Sequence, residues 1–235
     1  MPLAVALEVE QIAAAGRLHQ LLEGWQSTND ALASLGHKFP GFDFNSVLLK
    51  TTCVNALYGT NVLAVHRMAR HVVEVLGRVD LPSAGPELIE ELAVPPQDDG
   101  IVHRHHSFAS KFAHFFIDSE RFPIMDAYAV AMIKLHLGRT SVLVDSERPY
   151  DAFYRNHSHL KMELGGVSNS ELDHYLWIAG LHTAYRKNPR VTINREVRLL
   201  FENPDPRIVA DLATLSSPPS LVPGTANVAD NVGQS

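Results

Sequence analysis

Apolar residues recur three and four positions apart along most of the chain, and alternating runs of apolar and polar residues are few. This periodicity predicts an all-α fold whose helices are separated by glycine, proline and small polar residues. The predicted helices cover residues 5–25, a segment that begins between 27 and 30 and ends before a loop at 36–41, then 45–57, 60–78, a short acidic helix within 82–96, 107–117, 126–137, 150–164, 168–185, 194–201 and 205–215.

Several predicted helix ends carry residues suited to them. Gly59 is placed to end one helix and Thr60 to cap the next, while Gly138 stops the helix that opens at residue 126. Ser168 and Glu171 have the spacing of a capping box, in which each side chain bonds to the backbone N–H of the other residue. These signals predict boundaries near residues 59, 138 and 168.

The length and composition are those of a protein with one hydrophobic core. The chain has 235 residues, of which 46% are apolar and 20% are charged. We predict one domain over 1–215 and a flexible tail over 216–235, because the tail is rich in Ser, Pro, Gly, Asn and Ala. No signal peptide is apparent, and no window approaches about 20 uninterrupted apolar residues, so we expect a cytoplasmic protein without a membrane role.

The charge distribution bears on nucleic-acid binding. A formal net charge of −6 argues against a protein that coats nucleic acid without sequence preference, since such binding needs many Lys and Arg contacts to phosphates. Basic residues nevertheless cluster in segments 67–78, 103–111 and 186–198. The charge pattern is therefore compatible with an enzyme that has a local basic face.

The first candidate for chemistry is Lys111, which lies at the edge of an apolar stripe on its predicted helix. The stripe consists of Phe108, Phe112, Phe115 and Phe116. A lysine at this edge is half desolvated, so its pKa should fall toward neutrality, as a nucleophilic amine requires. The alternative is a lysine whose stem covers phenylalanine while its ammonium group stays in water.

The second candidate is Asp126, at the start of the next predicted helix. It shares a face with Val130, Ile133 and Leu137, so its carboxylate points toward the core side. Capping of the helix alone accounts for an aspartate at this position. A second role is compatible, because breaking an N-glycosidic bond builds positive charge on the sugar, and a fixed carboxylate at low dielectric stabilises that charge.

The stretch SFASKFAHFFIDSERFPIMDAY, from Ser107 to Tyr128, resembles the active-site segment of the helix-hairpin-helix DNA glycosylases. The resemblance is strongest to their 8-oxoguanine DNA glycosylase/AP lyase branch. In that family a lysine follows a hairpin, and a Pro-x-x-Asp motif opens the next helix. Lys111 matches the Schiff-base lysine, and Asp126, in the sequence Pro-Ile-Met-Asp, matches the catalytic aspartate.

The resemblance implies a helical glycosylase fold with two lobes around a central cleft. It implies a hydrolase or lyase of base excision repair that binds DNA and releases a damaged or modified base, with 8-oxoguanine as the first candidate. Lys111 would attack the anomeric carbon and form an imine, and Asp126 would assist departure of the base. No metal or organic cofactor is implied.

One departure from the family keeps other functions open. The family hairpin has a Gly-x-Gly turn that holds a DNA phosphate, whereas residues 107–110, Ser-Phe-Ala-Ser, stand at that place here. The first alternative is an N-glycosylase that acts on RNA or on a free nucleoside or nucleotide. The second is a non-catalytic nucleic-acid-binding or defence module in which Lys111 contacts phosphate.

Base-flipping enzymes stack and hydrogen-bond the extruded base. The candidates for these contacts are Tyr58, Asn61, Phe115, Tyr128 and Trp177. Each also has a structural interpretation, because aromatic residues at helical spacing are often core residues. His114 is a candidate to tune or relay the proton of the lysine that precedes it by one turn.

A metal site is not predicted. Four histidines lie close together along the chain without a cysteine or a suitably spaced carboxylate, namely His103, His105, His106 and His114. Cys53 is the single cysteine, which excludes an internal disulfide framework and a multi-cysteine zinc site.

Overall fold

The computed structural model describes residues 3–96, 103–138 and 147–216. In these ranges the chain forms eleven α-helices and one short 3-10 turn, with no β-strand, and this confirms the predicted all-α class. The helices are α1 (Val9–His19), α2 (Glu23–Lys38), α3 (Phe44–Tyr58), α4 (Val65–Leu76), α5 (Glu87–Leu92), α6 (His106–Phe116), α7 (Ala127–Leu137), α8 (Pro149–Leu164), α9 (Asn169–Lys187), α10 (Arg195–Phe201) and α11 (Pro206–Ser216).

The predicted tail over 216–235 falls outside the described residues, apart from Ser216 at the end of α11. Its flexibility and the domain boundary at residue 215 therefore stay predictions. Among the helices in the described ranges, none is long and apolar enough to cross a membrane.

Four of the predicted helix signals are confirmed. Gly59 and Gly138 end α3 and α7 with φ angles of 56° and 62°, in the left-handed region that favours glycine. Asp126 caps α7, since its Oδ1 accepts hydrogen bonds from the first amides of that helix. Ser168 and Glu171 form the predicted capping box at the start of α9.

The predicted helix over 5–25 is wrong at both ends. The helix α1 ends at His19, and a turn follows in which the Leu22 N–H donates to the His19 carbonyl at 3.0 Å. The next helix begins at Glu23, earlier than the predicted start at 27–30, and it continues through part of the predicted loop at 36–41. The turn was hidden because Leu18 and Leu22 are both fully buried, so the apolar spacing of four persists across it.

Thr60 does not cap α4, which begins at Val65. Its hydroxyl donates instead to Asn55 Oδ1 at 2.9 Å, and the same oxygen accepts the Val62 N–H at 2.9 Å. These bonds hold residues 60–62 against the end of α3, so the next helix starts only after the chain has turned away from it.

The hairpin also differs from the expectation. Residues 107–110 lie inside α6 rather than in a turn. The helix α5 packs against α6, and the connection is closed where the His105 N–H donates to the Ala93 carbonyl at 2.8 Å and His106 Nε2 donates to Glu90 Oε2 at 2.8 Å. The connection between the two helices therefore comes before residue 105, and residues 97–102 lie outside the described ranges.

Two sets of packed helices surround the candidate site. In one set, α9 packs against α1, α7 and α11. In the other, α3 packs against α2, α4 and α6, while α6 also contacts α2 and α5. Side chains from both sets line one pocket.

Candidate active site

This pocket, which we call the inner pocket, holds most of the predicted site residues. It contains about 630 Å³ of space, including its open mouth. Its lining residues are His19 from α1, Trp25 and Asn29 from α2, Tyr58 from α3, Lys111, His114 and Phe115 from α6, Ile124, Asp126 and Ala129 around the start of α7, and Ser170, Asp173, His174 and Trp177 from α9.

A second depression, the outer pocket, adjoins the inner one. The two share Trp25, Tyr58, Lys111, Asp126 and Trp177 as lining residues. The outer pocket continues to Ser107, Tyr128 and residues 192–194, whereas Asp173 and His174 line the inner pocket. Lys111 and Asp126 therefore lie at the junction of the two pockets.

Lys111 is buried more deeply than the edge of a phenylalanine stripe predicts. Only 5% of the residue is exposed, because α2 and α3 pack against α6 on that side. Its Nζ donates to Ser107 Oγ at 2.9 Å and lies 5.6 Å from the centre of the Tyr58 ring. Burial lowers the pKa of the Lys111 amine, although the charges of Asp126 and Asp173 oppose this shift. The predicted direction of the pKa shift is thus confirmed.

Asp126 is half-buried and held in place by the helix that it caps. Its Oδ1 accepts the N–H groups of Tyr128 at 2.9 Å and Ala129 at 2.8 Å. These bonds fix the carboxylate at the edge of both pockets, where its negative charge acts on the Lys111 amine. The structural and functional interpretations of Asp126 therefore coexist in one geometry.

Aromatic rings form a continuous wall around the inner pocket, which we call the aromatic belt. Neighbouring centroids in the belt are 3.7–6.2 Å apart. In order of contact its members are His174, His19, Trp177, Trp25, Tyr58, Phe115 and His114. Such a wall suits a flat ligand, since rings stack on or meet its faces and edges.

The two histidines at one end of the belt are neutral at physiological pH. The His19 and His174 rings stack at 3.7 Å with an interplanar angle of 16°. Burial, together with the neighbouring His174, lowers the pKa of His19 to about 4. Burial also lowers the pKa of His174. The stacked pair therefore adds flat, uncharged surface to the pocket.

Three aromatic candidates from the sequence line the inner pocket with the lysine, namely Tyr58, Phe115 and Trp177. Tyr58 is oriented by its hydroxyl, which donates to Asn29 Oδ1 at 2.6 Å. His114 also lines this pocket, and its Nδ1 donates to the Phe122 carbonyl at 3.1 Å. In the neutral ring this bond leaves Nε2 as the acceptor nitrogen.

Two sequence candidates lie elsewhere. Asn61 lines a separate depression with Arg67, His103 and His105, because its loop is tied to the end of α3 by Asn55. The structure does not bring Asn61 to the lysine. Tyr128 lines the outer pocket and packs closely on α9, where a Cβ at Gly180 would lie 2.8 Å from the Tyr128 Cβ.

Asp173 is the main site residue that the sequence analysis missed. It is 8% exposed, lies on α9 and lines the inner pocket. The available signal was its position three and four residues before Leu176 and Trp177, which puts a carboxylate on an otherwise apolar helix face. Trp25 was also missed, because it was assigned to the end of the first helix.

No group of three or more His, Cys, Asp or Glu side chains within the described ranges is arranged to hold a metal ion. Of the four histidines singled out above, His106 pairs with Glu90, and His114 belongs to the aromatic belt.

Comparisons with known proteins cover about half of the chain. Residues 8–120 match the family model HI_0787_N, which is described as an N-terminal domain. A protein of Haemophilus influenzae (strain ATCC 51907 / DSM 11121 / KW20 / Rd), described as an uncharacterized protein, is 30% identical over 130 residues. The similar region is 54% of this chain and 62% of that protein, so the chain spans less than two thirds of its relative's length. No solved structure matches the chain significantly.

The family-model match covers only part of the candidate site. It includes α1–α6 and therefore Lys111, Tyr58 and most of the aromatic belt, but it ends before Asp126 and Asp173. The chain is thus similar to an N-terminal domain over the part that supplies the amine.

Proposed function

We propose that this chain is an N-glycosylase of the helix-hairpin-helix type, which takes an extruded base into the inner pocket and attacks its sugar with Lys111. One observation carries the proposal: Lys111 and Asp126 line both the inner and the outer pocket. A nucleotide with its base in the aromatic belt and its sugar in the outer pocket would hold its N-glycosidic bond at this junction.

The chemistry uses the uncharged amine of Lys111. Its nitrogen lone pair forms a bond to the anomeric carbon, while the bond to the base breaks and its electron pair leaves on the base nitrogen. A proton from the attacking nitrogen passes to the departing base, with Asp126 as the carrier. Opening of the sugar ring then breaks the bond between the anomeric carbon and the ring oxygen. The nitrogen lone pair forms the C=N bond of the imine, and the remaining N–H proton passes to the ring oxygen, which becomes a hydroxyl group.

The electrostatics of the site suit each step. Burial of Lys111 favours the neutral amine that the attack needs. The carboxylate of Asp126, held by two backbone amides, stabilises the positive charge that develops on the sugar. The aromatic belt supplies stacking surface that repays the cost of removing a base from its stack.

The pairing of α5 with α6 supports the helix-hairpin-helix part of the proposal. Hydrogen bonds from His105 and His106 close the connection between these helices, and Lys111 is the sixth residue of the second one. The same proposal includes an arrangement of the helices in two lobes around a central cleft.

The substrate is proposed to be a damaged base in DNA, with 8-oxoguanine first. An N-glycosylase acting on RNA or a free nucleoside is the second candidate, favoured because residues 107–110 are helical and offer no glycine turn for a DNA phosphate. The non-catalytic module is disfavoured, because a 5% exposed lysine with a lowered pKa is a poor phosphate contact.

Borohydride trapping tests the proposal. The reagent reduces an imine to a stable amine, so the wild-type protein should become covalently linked to an oligonucleotide that carries the right lesion. The screen starts with 8-oxoguanine in duplex and single-stranded DNA and proceeds to other modified bases and to RNA. Lys111→Gln should give no trapped complex and should reduce base release by at least about 100-fold.

Lys50→Gln is the matched control, because it removes the amine of another buried lysine, 1% exposed on α3. It should trap as the wild type does once its folding has been verified by circular dichroism. The same check applies to Lys111→Gln, since Lys111 is buried and its replacement is not a surface change. Base release by Lys111→Gln at the wild-type rate would remove lysine as the nucleophile and favour water activated by Asp126. Binding of nucleic acid without base release would favour the non-catalytic module.

A further inference from the structure

The helix α6 contributes side chains to both pockets in the order of its sequence. Ser107, in its first turn, lines the outer pocket, Lys111 lines both pockets, and His114, one turn later, lines the inner pocket. The Lys111 Nζ donates to Ser107 Oγ, so the amine is directed back toward the outer pocket. His114 therefore lies on the inner side of the junction, where it would meet the part of a bound base that is farthest from the sugar.

The surroundings of His114 determine which ring nitrogen carries its proton. Nδ1 donates to the Phe122 carbonyl at 3.1 Å, and that oxygen can only accept a hydrogen bond. The Asp173 Oδ2 lies 3.7 Å from the same nitrogen, and the charge of this carboxylate favours a proton there. The neighbouring Phe115 ring meets the imidazole edge to face at 5.0 Å. In the neutral ring Nε2 is therefore a hydrogen-bond acceptor with a fixed position.

The Nε2 atom of His114 is accessible from the inner pocket. It has no hydrogen-bond partner among the described residues, and 10% of the side chain is exposed. Within the described ranges, the enclosed side-chain N and O atoms that lack a partner belong to five other residues, namely Trp25, Thr51, Arg121, His157 and Asp173. Because Nε2 is unpartnered without being enclosed, it has accessible surface. The ring lines the inner pocket, so this surface is presented to a ligand there.

We propose that His114 Nε2 accepts a hydrogen bond from a ring N–H on the Watson–Crick edge of the bound base. This inference rests on the proposed function and deepens it, since base-flipping enzymes read the extruded base through this edge. An acceptor selects lactam bases, the class to which hypoxanthine, guanine and 8-oxoguanine belong. It disfavours bases in which a methyl group replaces that N–H. Lys111 and Asp126 then act at the other end of the base.

The chain contains its own reporter for a binding test. Both of its tryptophans, Trp25 and Trp177, line the inner pocket, so intrinsic fluorescence reports a ligand there. The probes are inosine and 1-methylinosine, with inner-filter correction, at pH 8, above the ordinary imidazole pKa of about 6.5. Wild-type protein should bind inosine about tenfold more tightly, because 1-methylinosine leaves the acceptor without a donor.

His114→Phe tests the acceptor directly, because phenylalanine keeps a ring in the aromatic belt but has no acceptor nitrogen. Inosine should bind this variant about tenfold more weakly than it binds the wild type, whereas the affinity for 1-methylinosine should change by about threefold or less. His174→Phe is the matched control, since it makes the same exchange at the other end of the belt and should keep the preference for inosine. Circular dichroism verifies folding, and His114→Leu, which also lacks an acceptor, replaces His114→Phe if phenylalanine is not accommodated.

Equal affinity of the wild type for the two nucleosides, or no quenching by inosine, would overturn the inference. A preference for inosine that survives in the folded His114 variant would overturn it as well, and so would a loss of the preference in His174→Phe alone. The outcome is separable from that of borohydride trapping. A preference that depends on His114 without base release contradicts the glycosylase but leaves His114 as a base-recognition residue. Base release without the preference does the reverse.

Discussion

Two regions of this chain place a buried lysine near an aspartate that caps a helix. In the first, Lys50 is 1% exposed and Asp43 caps α3 by accepting the N–H groups two and three residues later. In the second, Lys111 is 5% exposed and Asp126 caps α7 in the same way. Burial lowers the pKa of each lysine, and the capping aspartate opposes the shift in each case.

The surroundings of the two amines differ. The Nζ of Lys50 donates to the Gly41 carbonyl at 3.0 Å and lies over the rings of Phe42 and Phe116 at 4.4 and 5.2 Å. The Nζ of Lys111 donates to a hydroxyl group, acts on a second carboxylate, Asp173, and borders two pockets. Burial and a lowered pKa are thus shared, and access of a ligand to the amine distinguishes the second region.

The largest expected effect concerns the two capping aspartates. Asp126→Asn should reduce base release by about 100-fold or more, because it removes the charge that stabilises the developing positive charge on the sugar. Asp43→Asn makes the same chemical change at the other cap and should leave base release unchanged. Asparagine caps helices well, so both variants should fold. The measurement is single-turnover base release on the substrate found by trapping.

This pair of variants separates capping from catalysis. If both variants lose activity equally, the loss reports helix destabilisation, and the contrast between the two regions disappears. If Asp126→Asn keeps full activity, Asp126 is a structural cap, and the carboxylate of Asp173 becomes the remaining candidate to stabilise the sugar.

Local sequence signals predicted one part of this site. The cap at Asp126 and the left-handed glycines at 59 and 138 are decided by residues within one turn, so they were readable from the sequence. The direction of the Lys111 pKa shift was also readable, because the phenylalanine stripe lies on the same helix. The activity assigned to these residues stays a prediction.

The features of the site that the sequence did not predict depend on contacts between elements that are separate in the sequence. The depth of burial of Lys111 depends on α2 and α3, and Asp173 meets Ile124 from a position 49 residues away. Asn61 was misplaced because the bonds from Asn55 hold its loop, and this loop conformation has no periodic signal. Lys50 escaped notice within an apolar helix, since its partner Gly41 lies in the preceding loop.

A smaller effect concerns the stability of the two lysine regions. Lys50→Met should lower the free energy of unfolding by about 1–2 kcal/mol, because it removes a hydrogen bond to a loop carbonyl and two cation–π contacts. Lys111→Met should leave the stability unchanged or raise it by up to about 1 kcal/mol, since it removes a poorly solvated amine at a functional site. Urea denaturation measures both changes, provided that the free energy of unfolding falls with urea concentration at the same slope in each variant.

The sign of the difference is the informative result. A loss of stability in Lys111→Met as large as that in Lys50→Met would show that the Lys111 amine has a structural role in the packing around the two pockets. A gain in stability with complete loss of trapping would indicate that the chain keeps this amine buried for function.

The smallest expected effect concerns the pH dependence of stability, to which His19 of the aromatic belt contributes. Burial lowers the pKa of His19 to about 4, from an ordinary value of about 6.5. At a pH between these two values, the unfolded state therefore binds more protons than the native state. The free energy of unfolding should therefore fall as the pH decreases from 7 to 5, with His19 contributing about 1 kcal/mol. His19→Gln should flatten the profile by that amount, whereas His37→Gln, at an exposed position of α2, should leave it unchanged. Urea denaturation at several pH values provides the measurement. A profile for His19→Gln as steep as that of the wild type would show that His19 titrates normally in the folded protein, and the aromatic belt would then carry a charge at mildly acidic pH.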